Sequence, residues 1–273
     1  MPEDLHTVSI PPFRTWNTAG ARPVLALHCS LAHAGAWAGL AQRLSGVTVT
    51  APDQIGHGRA PDWDGVADLH RDVTRDTIAV AESLAHGVPI DLIGHSFGGT
   101  VALRVALERP DLVRSLTLVE PVIFAAAKSA GDPAYAPFRA DHLAFSDLVR
   151  RNLRVEAAAM FHGVWGTGDA FADLPAKTQS YMIERIHLIV AQNPFLLDDA
   201  AGLLRYMGLE SLGIPTLLID GALSPPIIAA VQSELMRRLP MADRLTVPGA
   251  GHMVSITHAD TVAVVVQAHL DRC

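Results

Sequence analysis

The stretch 92-LIGHSFGGTVALRVA-106 holds the end of a strand, a turn and the start of a helix. The apolar run Ile90–His95 reads as a buried strand, and Gly99–Glu108 as a helix. Between them Gly94, Ser96 and Gly98 form G-x-S-x-G, followed by Gly99. A strand that bends at once into a helix needs glycines, because the two backbones must come close together. Ser96 is then lifted above the carboxyl edge of the sheet, at a helix N-terminus whose field favours negative charge. A bare G-x-S-x-G is expected by chance in roughly one chain in ten of this size. The strand before it and the helix after it give the motif its weight, and make Ser96 the candidate nucleophile.

Working outward, short β-rich runs alternate with helix-length segments. His6–Ile10, Phe13–Asn17, Pro23–Cys29, Val47–Asp53, Ile90–His95, Ser115–Glu120, Pro215–Asp220 and Arg244–Pro248 read as strands. Several are continuous apolar runs, the mark of parallel strands buried on both faces. Helices are expected at Ala34–Leu44, Asp68–His86, Gly99–Glu108, Pro226–Leu239 and Ala259–Asp271. This alternation predicts an α/β fold: a mostly parallel eight-stranded sheet with helices on both faces.

One segment breaks the rhythm. Residues 122–213 hold no convincing strand but carry helical stretches, such as 146-SDLVRRNLRVEAAAMFHGVW-165 and 178-TQSYMIERIHLIVAQ-192. An insertion of this length after the sixth strand reads as a helical lid. The expected division is a core of residues 1–121 and 214–273 and a lid of residues 122–213. Phe138, Phe161 and Trp165 are the candidate substrate-binding residues, with Met160, Phe171 and Phe195 as further apolar candidates.

Composition narrows the function. The chain has 273 residues, 49% of them apolar, and a formal charge of −7. No basic run is present, so a nucleic-acid partner is not expected. No apolar run is long enough to span a bilayer, and the start MPEDLHTVSIPP lacks a secretory core, so no membrane partner and a cytoplasmic location are expected. Two cysteines, Cys29 and Cys273, suit a reducing compartment; Cys29 is a second, weaker candidate nucleophile. The thirteen histidines show no tight metal spacing, so neither a metal nor a cofactor is expected. The expected partner is a small-molecule substrate, with a homodimer left open.

Four further segments accompany the elbow: 27-LHCSLAHAGAW-37, 52-PDQIGHGRAPDW-63, 248-PGAGHMVSITHAD-260, and the insertion with 161-FHGVWGTGDAFADLP-175. Together they resemble the α/β-hydrolase superfamily over nearly the whole chain. The resemblance implies a serine-nucleophile hydrolase, with His252 in the loop before the last helix as base. It places the oxyanion donors at the backbone N–H of Phe97 and, by likeness to the family's His-Gly-x loop, of Ser30. His28, His57 and His95 then read as structural.

The acid departs from the pattern. The family's usual carboxylate would stand at position 224, in 217-LLIDGALSPPI-227, but the residue is Ser224. Three explanations remain: Glu120 at the end of 116-LTLVEP-121, Asp220 before the turn, or either no acid at all or one from the lid, Asp198 or Asp199. Ser224 itself reads as a serine cap for a helix with prolines in its first turn. The implied function is hydrolysis of a small carboxylic ester or lactone through an acyl-enzyme. C–C bond hydrolysis, amide hydrolysis and perhydrolysis by the same residues are alternatives, as is a non-catalytic receptor on the same scaffold.

Overall fold

The computed structural model describes residues 10–273. Seven strands form one sheet: β1 (Phe13–Trp16), β2 (Arg22–Leu27), β3 (Val47–Pro52), β4 (Ile90–His95), β5 (Val113–Val119), β6 (Thr216–Gly221) and β7 (Ala242–Val247). Their order is β1-β3-β2-β4-β5-β6-β7, with β1 antiparallel to β3 and all other pairs parallel. Eight strands were expected; the described residues hold seven. The missing one, His6–Ile10, lies outside the described residues except for Ile10, which is not in a strand.

The helices are α1 (Ala38–Ala41), α2 (Leu69–Ala85), α3 (Phe97–Glu108), α4 (Phe124–Ser129), α5 (Tyr135–Arg150), α6 (Arg154–Trp165), α7 (Ala176–Arg185), α8 (His187–Ala191), α9 (Asn193–Asp198), α10 (Pro226–Arg238), α11 (Val254–Thr257) and α12 (Ala259–Arg272). Every residue of β4 and of β6 is buried, as strands covered on both faces must be. One apolar cluster joins Leu25, Leu92 and Leu118 to α2, α3 and α10. A second joins Val24, Ile93 and Ile219 to Trp37 and α12. The alternation of these strand residues between the two clusters is the strand period of two.

Helices α4–α9 lie between β5 and β6 in the chain, where the insertion was expected, and α5–α8 share a smaller core of Phe145, Ala157, Ala158, Met182, Ile186 and Ile189. The stretch 146–165 is not one helix. Asn152 takes a left-handed φ of +58°, and α5 ends there with bonds from Asn152 N to Val149 O and from Leu153 N to Leu148 O. This is a Schellman stop built on asparagine in place of glycine. Among the described residues no helix is long and apolar enough to cross a membrane.

Candidate active site

The site assembles where β4, β5 and the loop after β7 release their chains at the carboxyl edge of the sheet, the usual ligand position in such folds. Ser96 sits between β4 and α3 with φ +56° and ψ −117°, a conformation costly for a residue with a side chain. The bend is fixed from two sides. Ser96 N–H donates to Val119 O at 2.8 Å. A Cβ on Gly94 would lie 2.2 Å from Gly98 O, and one on Gly98 would lie 2.3 Å from Leu27 O. Only glycine fits either place, so the motif's two glycines are required by packing. The second contact also seats the start of α3 on the end of β2.

Ser96, His252 and Glu120 form a continuous hydrogen-bonded chain. Ser96 Oγ is 3.0 Å from His252 Nε2, and His252 Nδ1 is 2.7 Å from Glu120 Oε2. A carboxylate can only accept, so Nδ1 carries the proton and Nε2 presents its lone pair to the serine hydroxyl. Glu120 is fully buried and holds an uncommon φ of +50°. Burial pushes its pKa up, but hydrogen bonds from His252, Ser224 and Gly221 outweigh this and hold it below the ordinary glutamate value. The His252 loop is itself tethered: His95 Nε2–H donates to His252 O at 2.9 Å. Burial holds His95 neutral, its pKa pushed down to about 3.

The other carboxylates are engaged elsewhere. Asp220 receives Arg244 Nε at 2.9 Å and a second guanidinium nitrogen at 3.0 Å, with Thr246 Oγ1 at 3.2 Å. It faces β7 partners, not His252. Asp198 pairs with Lys128, and Asp199 accepts from the N–H groups of Leu203 and Leu204. The structure therefore brings Glu120 to the histidine and leaves Asp220, Asp198 and Asp199 in structural contacts. Ser224 corrects an expectation as well. It does not cap α10, whose N-cap is Pro225. Its Oγ donates instead to Glu120 Oε1 at 2.6 Å, beside Gly221 N–H on the same oxygen at 2.6 Å.

Phe97 opens α3, so its N–H has no partner within the helix, and neither it nor Ser30 N–H meets an acceptor among the described residues. Ser30 Oγ donates to Gln192 Oε1 at 2.9 Å, which ties the loop after β2 to the segment between α8 and α9. Sequence reasoning gave Gln192 no role, and no local signal marks it. Cys29 is buried and its thiol is pushed up to about 12, so it offers no thiolate. His28 donates through Nδ1 to Cys29 O and accepts Gln54 N–H on Nε2, while His57 Nδ1 donates to Ile55 O. Both are bonded loop residues.

Trp165 meets the site directly: its ring centroid lies 4.7 Å from that of His252, edge to face. Trp165, Phe138 and Phe161 also line one cavity of about 240 Å³, with Phe145, His142 and Ile227. Phe195 does not line it. Its ring stacks on His70 at 3.4 Å, and His70 in turn meets Phe97 edge to face at 5.5 Å.

A parallel sheet that delivers a serine on a glycine-flanked strand–helix bend, with a histidine from the loop after the last strand, is the arrangement of α/β hydrolases. The chain belongs to the alpha/beta hydrolase family, whose family model matches residues 24–265. It is 28% identical to Lipase LipV of Mycobacterium tuberculosis over 279 aligned positions, covering 98% of both chains. It is 34% identical to the human monoglyceride lipase over 125 positions, 43% of this chain and 41% of that protein. Among solved structures it resembles a proline iminopeptidase of Mycobacterium smegmatis, with TM-score 0.66 at 18% identity, covering 95% of this chain and 94% of that one. It also resembles an alpha/beta hydrolase of Sphaerobacter thermophilus, with TM-score 0.66 at 22% identity over 95% of each chain. At such identities the likeness to the solved structures is one of fold.

Proposed function

We propose that the protein is a serine hydrolase that cleaves a small carboxylic ester or lactone through an acyl-enzyme. The observation that carries the reading is the buried chain from Ser96 through His252 to Glu120. In the proposed reaction His252 Nε2 takes the proton of Ser96 as its oxygen attacks the carbonyl. The tetrahedral oxygen is held by the N–H groups of Phe97 and Ser30, neither of which meets an acceptor among the described residues. His252 then gives its proton to the departing alcohol and activates the water that frees the acid. Glu120 keeps the imidazole in the right tautomer and stabilises its charged form.

The helical segment of residues 122–213 acts as the lid over this site. Supporting that role, it supplies Trp165 to the face of His252 and Gln192 to the loop of Ser30. Ser96 is only 7% exposed, which fits a covered site that opens for substrate. The full-length relative named as a lipase favours an ester over an amide as the bond cleaved. The test is labelling with a fluorophosphonate probe, together with turnover of chromogenic esters of increasing acyl length. Labelling and turnover that both vanish in Ser96→Ala support the reading. A folded wild-type protein that neither labels nor turns over any ester refutes it.

A further inference from the structure

The cavity behind Trp165 has the exposed Asp141 at its mouth and one buried polar side chain, which the reaction above does not use. Its walls are Phe138, Phe145, Phe161, Trp165 and Ile227, and among them stands His142 on α5. His142 is 9% exposed. Its Nε2 lies 2.7 Å from Asn193 Oδ1, and Asn193 Nδ2 points in turn to Ser146 Oγ at 3.4 Å. An amide oxygen only accepts, so Nε2 must carry the proton and Nδ1 is left as a bare lone pair. Nδ1 has no partner among the described residues, and it is not among the buried polar atoms shut off from space. It is therefore an unpaired acceptor on a residue that lines a largely apolar cavity. Burial lowers the pKa of His142 further than the Asn193 contact raises it, so the ring stays neutral and the lone pair stays available.

The cavity's place beside the His252 ring points to the part of a substrate that reaches it. The free N–H groups of Phe97 and Ser30 mark the side of the carbonyl oxygen. His252 must protonate the departing oxygen, and Trp165, which meets the His252 ring, is the wall shared with the cavity. A space on the order of 150 Å³ suffices for a benzene ring, and this one is about 240 Å³. Resting on the serine-hydrolase reading, we propose that the cavity binds the alcohol part of the ester as a ring-sized apolar group carrying one hydrogen-bond donor, received by His142 Nδ1. His142 is thus a specificity-determining residue, and the preferred leaving group is a hydroxylated aryl-alkyl alcohol.

The test compares kcat/KM within matched ester pairs, a ratio that does not depend on how much of a variant is folded. On the alcohol side the pair is 2-(4-hydroxyphenyl)ethyl acetate and 2-phenylethyl acetate, with the 4-methoxy analogue as a control that has no donor. On the acyl side it is methyl 3-(4-hydroxyphenyl)propanoate and methyl 3-phenylpropanoate. The wild type is expected to prefer the hydroxylated alcohol by roughly five- to tenfold over both partners, the scale of one net hydrogen bond. His142→Phe should bring the ratio to about one. Asn193→Ala, which releases the tautomer without touching the cavity wall, should move it in the same direction. Asp147→Asn, on the same helix but outside the cavity and paired with Arg150, should leave it unchanged. A wild-type ratio near one, a preference only on the acyl side, or a preference that survives His142→Phe or Asn193→Ala overturns the proposal. If Ser96 labels with the fluorophosphonate but none of these esters turns over, the cavity assignment falls while the hydrolase stands. Failure of both labelling and turnover removes the underlying reading as well.

Discussion

Ser224 Oγ donates a 2.6 Å hydrogen bond to Oε1 of Glu120, the carboxylate whose other oxygen receives His252 at 2.7 Å. The position where the family's acid usually stands thus holds a partner of the carboxylate that meets His252. Parallel register brings this about. Val119 pairs with Ile219, so the ends of β5 and β6 lie side by side, and Glu120 meets both Gly221 N–H and Ser224. The first prediction follows from the partners of the two carboxylates. Glu120→Gln should lower kcat by roughly three to four orders of magnitude, as when a triad carboxylate is neutralised and the wrong tautomer is held. Asp220→Asn should keep activity near wild type, because its contacts are Arg244 and Thr246. Ester turnover of the two variants checks this; the reverse ranking would transfer the role to Asp220.

Ser224→Ala separates supporting the acid from being the acid. It removes one of three hydrogen bonds on a fully buried carboxylate and leaves Gly221 N–H as the only donor to Oε1 among the described residues. A buried acceptor that loses a partner costs roughly 1–3 kcal/mol. Stability should fall on that scale and kcat by about tenfold, a much smaller loss than in Glu120→Gln. Denaturant midpoints and kcat measured on the same preparation test it. Wild-type values for both would show that the 2.6 Å contact carries no weight.

What the sequence makes legible here is local. The elbow can be read because G-x-S-x-G must be followed by a helix and preceded by a strand, and both neighbours carry their own periodicity. His252 can be read because a glycine-rich loop separates it from both flanking elements. The role of Ser224 cannot be read, since its partner is 104 residues away in the chain and depends on strand order. A serine before two prolines is locally a good helix cap, and tertiary contact overrides that preference. The same holds for Gln192 and Ser30, 162 residues apart, and for Trp165 over His252. The break at Asn152 did leave a signal, an asparagine within a charged helix, but glycine is the residue usually sought at such a stop.

The glycines of the elbow give a prediction about the fold. A Cβ at position 94 would meet Gly98 O at 2.2 Å and Gly99 Cα at 2.7 Å; a Cβ at position 98 would meet Leu27 O at 2.3 Å and His28 O at 2.5 Å. All four are backbone atoms of buried segments and cannot swing aside as a flexible side chain would. Gly94→Ala and Gly98→Ala should each destabilise by roughly 3–5 kcal/mol, the range of severe single substitutions. Gly163→Ala meets nothing within 4 Å and serves as the control. Thermal or denaturant unfolding of the three variants tests the argument, which fails if Gly94→Ala matches the control.

Acid stability is the last expectation, and its sign follows from three buried histidines. Burial is the main cause that pushes His28 down to about 3, His57 to about 4 and His95 to about 3. In the unfolded chain a histidine titrates near 6.5. Above that pH both states are neutral and these groups leave stability unchanged. Below it the unfolded chain takes up protons that the folded chain refuses, so stability falls with pH until each folded pKa is passed. At pH 5 this costs roughly 2 kcal/mol for each histidine, about 6 kcal/mol together, comparable to the whole stability of many domains. Glu120, held below its ordinary value, adds to the loss at still lower pH, as the unfolded chain protonates first. Unfolding midpoints in denaturant should therefore drop steeply between pH 6.5 and pH 4, with little change between pH 7 and pH 8. A flat profile from pH 7 to pH 5 would mean that the three rings accept protons in the fold, which their burial opposes.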